Sequence, residues 1–128
     1  MIVNPNLIQP SQDFLKPGTI KFILRCIDRG ELEKLPPTPI VREWSDNKLI
    51  AIDGHNLIAV KLHLGQEIEV HVAKSADNGL LPNSDANIER NKDLKTKFES
   101  VIEDRLRLEG EGINSFNDLL ERYQYLFD

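Results

Sequence analysis

The feature that most constrains the fold lies at residues 49–64. Residues 49–52 read Leu-Ile-Ala-Ile, a continuous apolar run with the length of a short strand, and Asp53 and Gly54 end it. Residues 55–64 follow at once and are apolar on nearly every side, which is typical of a buried helix. A strand without polar positions is normally covered on both faces. The pattern therefore predicts a central strand that leads directly into a buried helix.

The segments around this unit predict a small sheet. The apolar pair before Pro10 favours an edge strand, and residues 39–44 favour a strand that forms a hairpin with residues 49–52. Residues 67–73 alternate between apolar and polar positions, as in a half-exposed strand. A first helix is expected between these strands, with its N-cap near Thr19 and its end near Gly30. Its apolar stripe is Ile20, Ile23, Leu24 and Ile27.

The last third of the chain predicts a loop and two helices. Residues 75–90 are rich in loop-forming residues, and residues 91–108 carry a helical stripe of Leu94, Phe98, Val101, Ile102 and Leu106. Ser115 and Asp118 are spaced as a capping box, which begins a last helix whose apolar face is Phe116, Leu119, Leu120, Tyr123 and Phe127. The fold class is therefore α/β or α+β: a small mixed sheet, covering helices and a C-terminal helical pair. We assign residues 1–74 to the core, 75–90 to a loop and 91–128 to an acidic helical extension of the same domain.

Charge and cysteine content narrow the function classes. The net charge is −5; residues 1–74 carry nine basic and nine acidic side chains, so residues 75–128, with seven and twelve, hold all of it. This acidity disfavours nucleic acid as a partner. A single cysteine, Cys26, and no long apolar run favour a cytoplasmic protein without a membrane span. The two C-terminal stripes must be covered by each other, by the sheet or by a second chain. Of these, we expect a protein partner or a dimer through residues 91–128.

The strand-to-helix junction is the candidate site. The first N–H groups of a helix lack intrahelical acceptors and lie at the positive end of the helix dipole, which is a common way to bind an anion. At this junction the phosphate-binding candidates are Gly54, His55 and Asn56, and the catalytic candidates are Asp53 and His55, whose side chains carry a carboxylate and an imidazole. The simpler alternative is that Asp53 is the N-cap of the helix and Gly54 only permits the turn. The sequence predicts no metal site built from several ligands.

These residues resemble the ParB/sulfiredoxin superfamily over residues 7–73. The resemblance covers the run Leu-Pro-Pro-Thr-Pro-Ile-Val-Arg at 35–42, a turn, the strand at 49–52, the Asp-Gly-His box at 53–55, a helix, Gly65 and the strand at 68–72. It implies a ParB/sulfiredoxin-like fold and a box that binds nucleotide phosphates.

Within that superfamily the box is similar to the Asp-Gly-His-Thr-Arg of the free-serine kinases. Asp53, Gly54 and His55 match, whereas Asn56 replaces threonine and Leu57 replaces arginine. Only Gly54 matches the boxes of sulfiredoxin and ParB. The resemblance implies a nucleotide or phosphate ligand in a phosphotransferase or nuclease-like protein. It leaves the cofactor open, a nucleotide with magnesium being one candidate. The alternative is a non-enzymatic scaffold of the same fold, because Leu57 removes the arginine; whether the chain is an enzyme stays open.

Overall fold

The computed structural model describes residues 1–44, 47–74 and 88–127, with side chains for all of these except residues 88–94. The described residues form six strands and four α-helices. The strands are β1 (Ile2–Val3), β2 (Ile8–Gln9), β3 (Ile40–Glu43), β4 (Leu49–Asp53), β5 (Ile68–Glu69) and β6 (His71–Ala73). The helices are α1 (Pro17–Asp28), α2 (His55–His63), α3 (Ile88–Gly110) and α4 (Phe116–Arg122). The predicted mixed α/β class, with a C-terminal helical pair, is confirmed.

The main sheet has the strand order β2-β4-β3-β6 and is mixed. β3 and β4 form the predicted antiparallel hairpin, whereas β2 pairs with β4, and β6 with β3, in parallel. Strand β4 is therefore internal, as its uninterrupted apolar run predicts. The residues 45–46 of the predicted turn lie outside the described residues.

The segment at 67–73 is not one strand. β5 pairs with β1 in a separate two-stranded sheet, and β6 joins the main sheet beside β3. Val70 lies between them, 1 % exposed, and its N–H donates to the Met1 carbonyl. The period-two pattern was correct, but alternation along a chain does not reveal where a strand passes from one sheet to another.

Apolar clusters cover both faces of the main sheet. The larger cluster joins α1, α2 and α4 to one face, with Ile23, Ile58 and Leu119 fully buried. The smaller cluster joins Phe98 and Val101 of α3 to Ile50 and Ile52 of β4 on the other face. The prediction that β4 is covered on both sides is confirmed.

Two helix predictions need correction. α1 begins at Pro17 with Lys16 as N-cap, so Thr19 is not the cap; proline is favourable at the first helical position because it lacks the N–H that a helix start cannot pair. α3 begins at Ile88 rather than residue 91. The predicted loop at 75–90 lies outside the described residues as far as residue 87.

The buried face of α3 also differs from the predicted stripe. Phe98 and Val101 are buried as expected, but Leu106 is 53 % exposed and Arg105 is 1 % exposed. The inward positions after Val101 are Arg105 and Leu108, which continue the helical spacing. Leu94, the first residue of the predicted stripe, lies outside the described side chains.

Arg105 is buried because its guanidinium finds two carbonyl acceptors. Nη1 donates to the Pro10 carbonyl at 2.5 Å, and Nη2 donates to the Ile113 carbonyl. Burial lowers the pKa of the guanidinium, and the nearby carboxylates of Glu109 and Asp118 oppose that change. A hydropathy pattern places an arginine outside, which is why the sequence predicts the neighbouring Leu106 as a core residue.

The C-terminal pair packs on the rest of the fold. α3 covers β4, and α4 packs against α2. The predicted capping box is present: the Ser115 hydroxyl accepts from the Asp118 N–H, and the Asp118 carboxylate accepts from the Ser115 N–H. None of the helices in the described part of the chain is long and apolar enough to cross a membrane.

Candidate functional site

The N-cap residue of α2 contributes no side-chain hydrogen bond to the start of the helix. Gly54 is the N-cap residue, with φ +91°, and the first intrahelical bond runs from the Ile58 N–H to the Gly54 carbonyl at 3.1 Å. The alternative that Asp53 caps the helix is therefore wrong, because the left-handed glycine moves the cap one residue along the chain. The N–H groups of the first turn have no acceptor within the helix.

Gly54 is required by two features of its surroundings. Its positive φ strains any residue with a side chain. A Cβ at this position would also lie 2.6 Å from the Cβ of Pro39, well inside contact distance. The group that approaches the Gly54 backbone closely is thus Pro39, at the start of the hairpin.

His55 is a buried, neutral residue. It is 4 % exposed, and its Nε2 accepts the Ser11 N–H at 3.0 Å. The proton of the neutral ring therefore lies on Nδ1. Burial lowers the pKa of His55 to about 3; the Asp53 carboxylate opposes this and the Lys97 ammonium adds to it. At neutral pH the side chain offers one N–H donor and no charge.

Ser11, His55 and Asp53 are the residue types of a nucleophilic triad, but their hydrogen bonds are different. The Ser11 hydroxyl donates to the Ala51 carbonyl at 2.6 Å. Nε2 of His55 lies 3.3 Å from Oγ of Ser11 and accepts the Ser11 backbone N–H. A general base must be able to take the hydroxyl proton. In this arrangement the hydroxyl proton and the imidazole lone pair both have other partners, which favours a structural role for the pair.

One peptide group connects the start of α2 to α3. The Pro10–Ser11 peptide accepts from Arg105 through its carbonyl and donates to His55 through its N–H. Both of its polar atoms are therefore paired to buried side chains from different helices. The bonds polarise the peptide in the same direction, which strengthens each of them.

This peptide anchors the loop at 11–16 beside α2. Leu15 is 2 % exposed and lies in the larger apolar cluster, and the Lys16 N–H donates to Oδ1 of Asn56 at 2.8 Å. Phe14, before Leu15, is exposed, as is Lys16 after it. The loop is thus attached at both ends and in its interior, and it holds an aromatic ring and a cation at the surface.

A cleft of about 370 Å³ lies where this loop, α2 and α3 meet. The predicted residues Asp53, Gly54, His55 and Asn56 all line it, and the structure brings them together as one surface. The structure adds residues to this surface that the sequence does not identify as site candidates. These are Gln12, Phe14, Lys16, Thr19, Pro36, Pro37, Leu57 and Lys97.

Among the described residues that line the cleft, two carry an ammonium group and one carries a carboxylate. Lys16 comes from the loop before α1 and Lys97 from α3, while Asp53 is the acidic residue of this described lining. The influence of Lys97 on the pKa of His55 shows that its charge acts at the start of α2. No sequence spacing connects residues 16, 53 and 97, so only the tertiary structure could identify this group.

Outside the cleft, three other described titratable side chains have structural surroundings. Cys26 is a buried thiol in α1, and His63 stacks on Phe127 with ring centroids 4.1 Å apart. Glu31 forms an ion pair with Lys34. Within the described ranges, no three His, Cys, Asp or Glu side chains are grouped so that they could hold a metal ion.

Comparison with known proteins identifies no relative: no family model matches the chain, and neither does any curated protein or solved structure. The ParB/sulfiredoxin resemblance stays a prediction from the residues quoted above.

Proposed function

We propose that the chain binds a phosphate group, in a nucleotide or another phosphate ester, in the cleft at the start of α2. The observation that carries the proposal is the meeting of three separate segments around that helix start. The loop supplies Lys16, α3 supplies Lys97, and α2 supplies backbone N–H groups without a side-chain cap. Cations and helix N–H groups are the usual ligands of a phosphate.

Lys16 and Lys97 supply the positive charge that is missing at position 57, where the resemblance implies an arginine. Leu57 stands where a family arginine would bind phosphate, and it is 6 % exposed and packed in the larger apolar cluster. Lys16 and Lys97 line the same cleft and restore positive charge to it. The ParB/sulfiredoxin-like identity of residues 1–74 belongs to this proposal, since such a fold places its ligand at this junction.

The proposed roles follow from the bonds already described. Gly54, His55 and Asn56 donate backbone N–H groups, and Asn56 also keeps the Lys16 loop in place. A magnesium ion bound to a nucleotide needs one or two carboxylates besides phosphate oxygens and water, and Asp53 can supply one. Catalysis by Asp53 and His55 stays a prediction. The partners of the His55 ring favour binding over acid–base chemistry.

The direct test is a titration followed by amide NMR signals. Inorganic phosphate, ADP, ATP and CTP are added to the labelled protein, with and without magnesium. We expect the largest shifts at Gly54, His55 and Asn56. A ligand at 100 times its dissociation constant also stabilises the fold by about 2.7 kcal/mol, which calorimetry detects.

Matched lysine variants locate the site. Lys97→Met should weaken phosphate binding about fivefold, because one cation contributes on the order of 1 kcal/mol at a partly exposed position. Lys21→Met removes an exposed lysine of α1 that does not line the cleft, and it should leave binding unchanged. Equal effects of the two variants, or no binding by the wild type, would contradict the proposal.

Asp53→Asn distinguishes two possible roles of the Asp53 carboxylate, which are magnesium binding and repulsion of the phosphate. If the carboxylate holds magnesium, the variant loses the magnesium dependence of ADP binding. If it only repels the phosphate, the variant binds inorganic phosphate more tightly, with magnesium having the same effect as in the wild type.

Association through residues 91–128, as a scaffold or dimer, is the second candidate function. The inner apolar faces of α3 and α4 are covered within the chain, so they do not require a partner. Leu106 and Tyr125, however, are 53 % and 64 % exposed and offer apolar contacts. Light scattering at several concentrations tests self-association. A mass that rises with concentration, and falls to the monomer in Leu106→Glu, would support it; a constant monomer mass would contradict it.

A further inference from the structure

We infer that the cleft has a second subsite, an apolar wall that selects phosphate esters carrying a flat aromatic group. The wall is formed by Phe14, Pro36 and Pro37. The inference rests on the proposed phosphate site and specifies its ligand class. Phosphate esters with small polar groups, and free phosphate, would leave the wall uncovered.

The first argument is the placement of Phe14. Single exposed apolar side chains are normal on protein surfaces and indicate nothing alone. Phe14 is 46 % exposed, but it precedes the buried Leu15 in a loop that is hydrogen-bonded to α2 on both sides. The Gln12 side chain also donates to the Phe14 carbonyl at 2.9 Å. The backbone of Phe14 is therefore held in place, and the ring is presented to the cleft at little further entropic cost.

The second argument is the distribution of polarity in the cleft. Lys16 and Lys97 can meet an anion, and Phe14 with the two prolines offers an apolar surface in the same lining. Ligand pockets combine an apolar surface with a few polar groups in this way. Aromatic side chains favour other flat rings, in stacked or edge-to-face contact, over small polar groups. A ligand complementary to both parts has a phosphate joined to an aromatic ring.

Three probes test the inference: inorganic phosphate, phosphoserine and phenyl phosphate, each titrated into the full chain and followed by amide NMR signals. Phenyl phosphate should bind about three- to tenfold more tightly than phosphoserine, in line with the strength of an aromatic contact. A nucleoside monophosphate is a fourth probe. It shows whether the preferred aromatic group is a nucleobase or a simple aryl ring.

Phe14→Ala should remove the preference for phenyl phosphate and leave the affinity for inorganic phosphate unchanged. Phe22→Ala is the matched control, because Phe22 is 43 % exposed in α1 and does not line the cleft. Phe14→Tyr should retain the preference. If inorganic phosphate binds but phenyl phosphate binds no more tightly than phosphoserine, the aromatic subsite is wrong and the phosphate site stands. If no probe binds at the start of α2, both fail.

Discussion

α2 and α4 begin in opposite ways. At the start of α4, Ser115 and Asp118 pair with each other's backbone N–H groups, and the Asp118 carboxylate also accepts the Asn114 N–H. At the start of α2, the N-cap is a glycine without a side chain, and two lysines line the adjoining cleft. Side chains of this segment thus accept the Asp118 N–H of α4 and the two N–H groups before the helix, which favours a structural role for that start. At the start of α2 the N-cap residue has no side chain, and the proposed phosphate site uses the N–H groups there.

Arg105 joins the two regions, since it donates to Pro10 beside α2 and to Ile113 before α4. The largest expected effect is therefore that of Arg105→Met, which leaves two buried carbonyls without their donors. We expect the free energy of unfolding to fall by roughly 3–6 kcal/mol, measured by urea denaturation. Arg107→Met is the control: Arg107 is exposed, with one surface ion pair to Glu111, and its loss should cost less than about 0.5 kcal/mol. Similar costs for both variants would refute this role of Arg105.

Acidification should lower the free energy of unfolding through His55 at the start of α2. The folded pKa of His55 is about 3, below its ordinary value of 6.5, so the unfolded chain binds the proton between these values and the folded chain does not. The contribution of His55 to the free energy of unfolding is fully present above pH 6.5. It decreases as the pH falls, and the loss is about 3 kcal/mol at pH 4. Urea denaturation at pH 7 and pH 4 measures the change.

His55→Gln keeps an acceptor for the Ser11 N–H but does not titrate, so its loss of stability on acidification should be smaller by that amount. His63→Gln makes the same substitution at an exposed position of α2 and is the control for the loss of a histidine side chain. A wild-type pH dependence in His55→Gln would show that other groups cause the acid sensitivity.

Gly54→Ala tests whether the open start of α2 depends on its glycine. Positive φ and the contact with Pro39 should together lower the free energy of unfolding by about 2–3 kcal/mol. Gly65→Ala is matched in backbone conformation, with φ +68°, but has open space around it, so we expect about 1 kcal/mol. Denaturation of the two variants separates crowding from backbone strain, and equal losses would argue against the Pro39 contact.

Ser115→Ala should have the smallest effect, about 1 kcal/mol, because one N-cap hydrogen bond of α4 is lost. Denaturation measures the loss, and the amide titration with phosphate should give the wild-type affinity. A weaker affinity would show that the start of α4 also affects phosphate binding, so that the two helix starts do not have separate roles.

Most of the elements could be predicted, and the reason differs between them. The strand at 49–53 and α2 follow from an apolar run and an all-round apolar helix, since such segments have few alternatives to the interior. The capping box of α4 depends on residues three apart and was equally visible. The buried face of α3 could not be predicted from the sequence. Arg105 is buried there because it donates to the carbonyls of residues 10 and 113, whereas Leu106 is exposed.

The sequence alone determined the fold class, the central strand and the junction at 53–56, because each depends on local pattern and on the chemistry of neighbouring residues. Only the tertiary structure decided what surrounds that junction. Residues 14, 16 and 97 reach it through a loop and a helix that are distant in sequence, and the Pro10–Ser11 peptide is held between two buried side chains. Such contacts are set by how the elements pack in space, and periodicity along the chain carries no record of them.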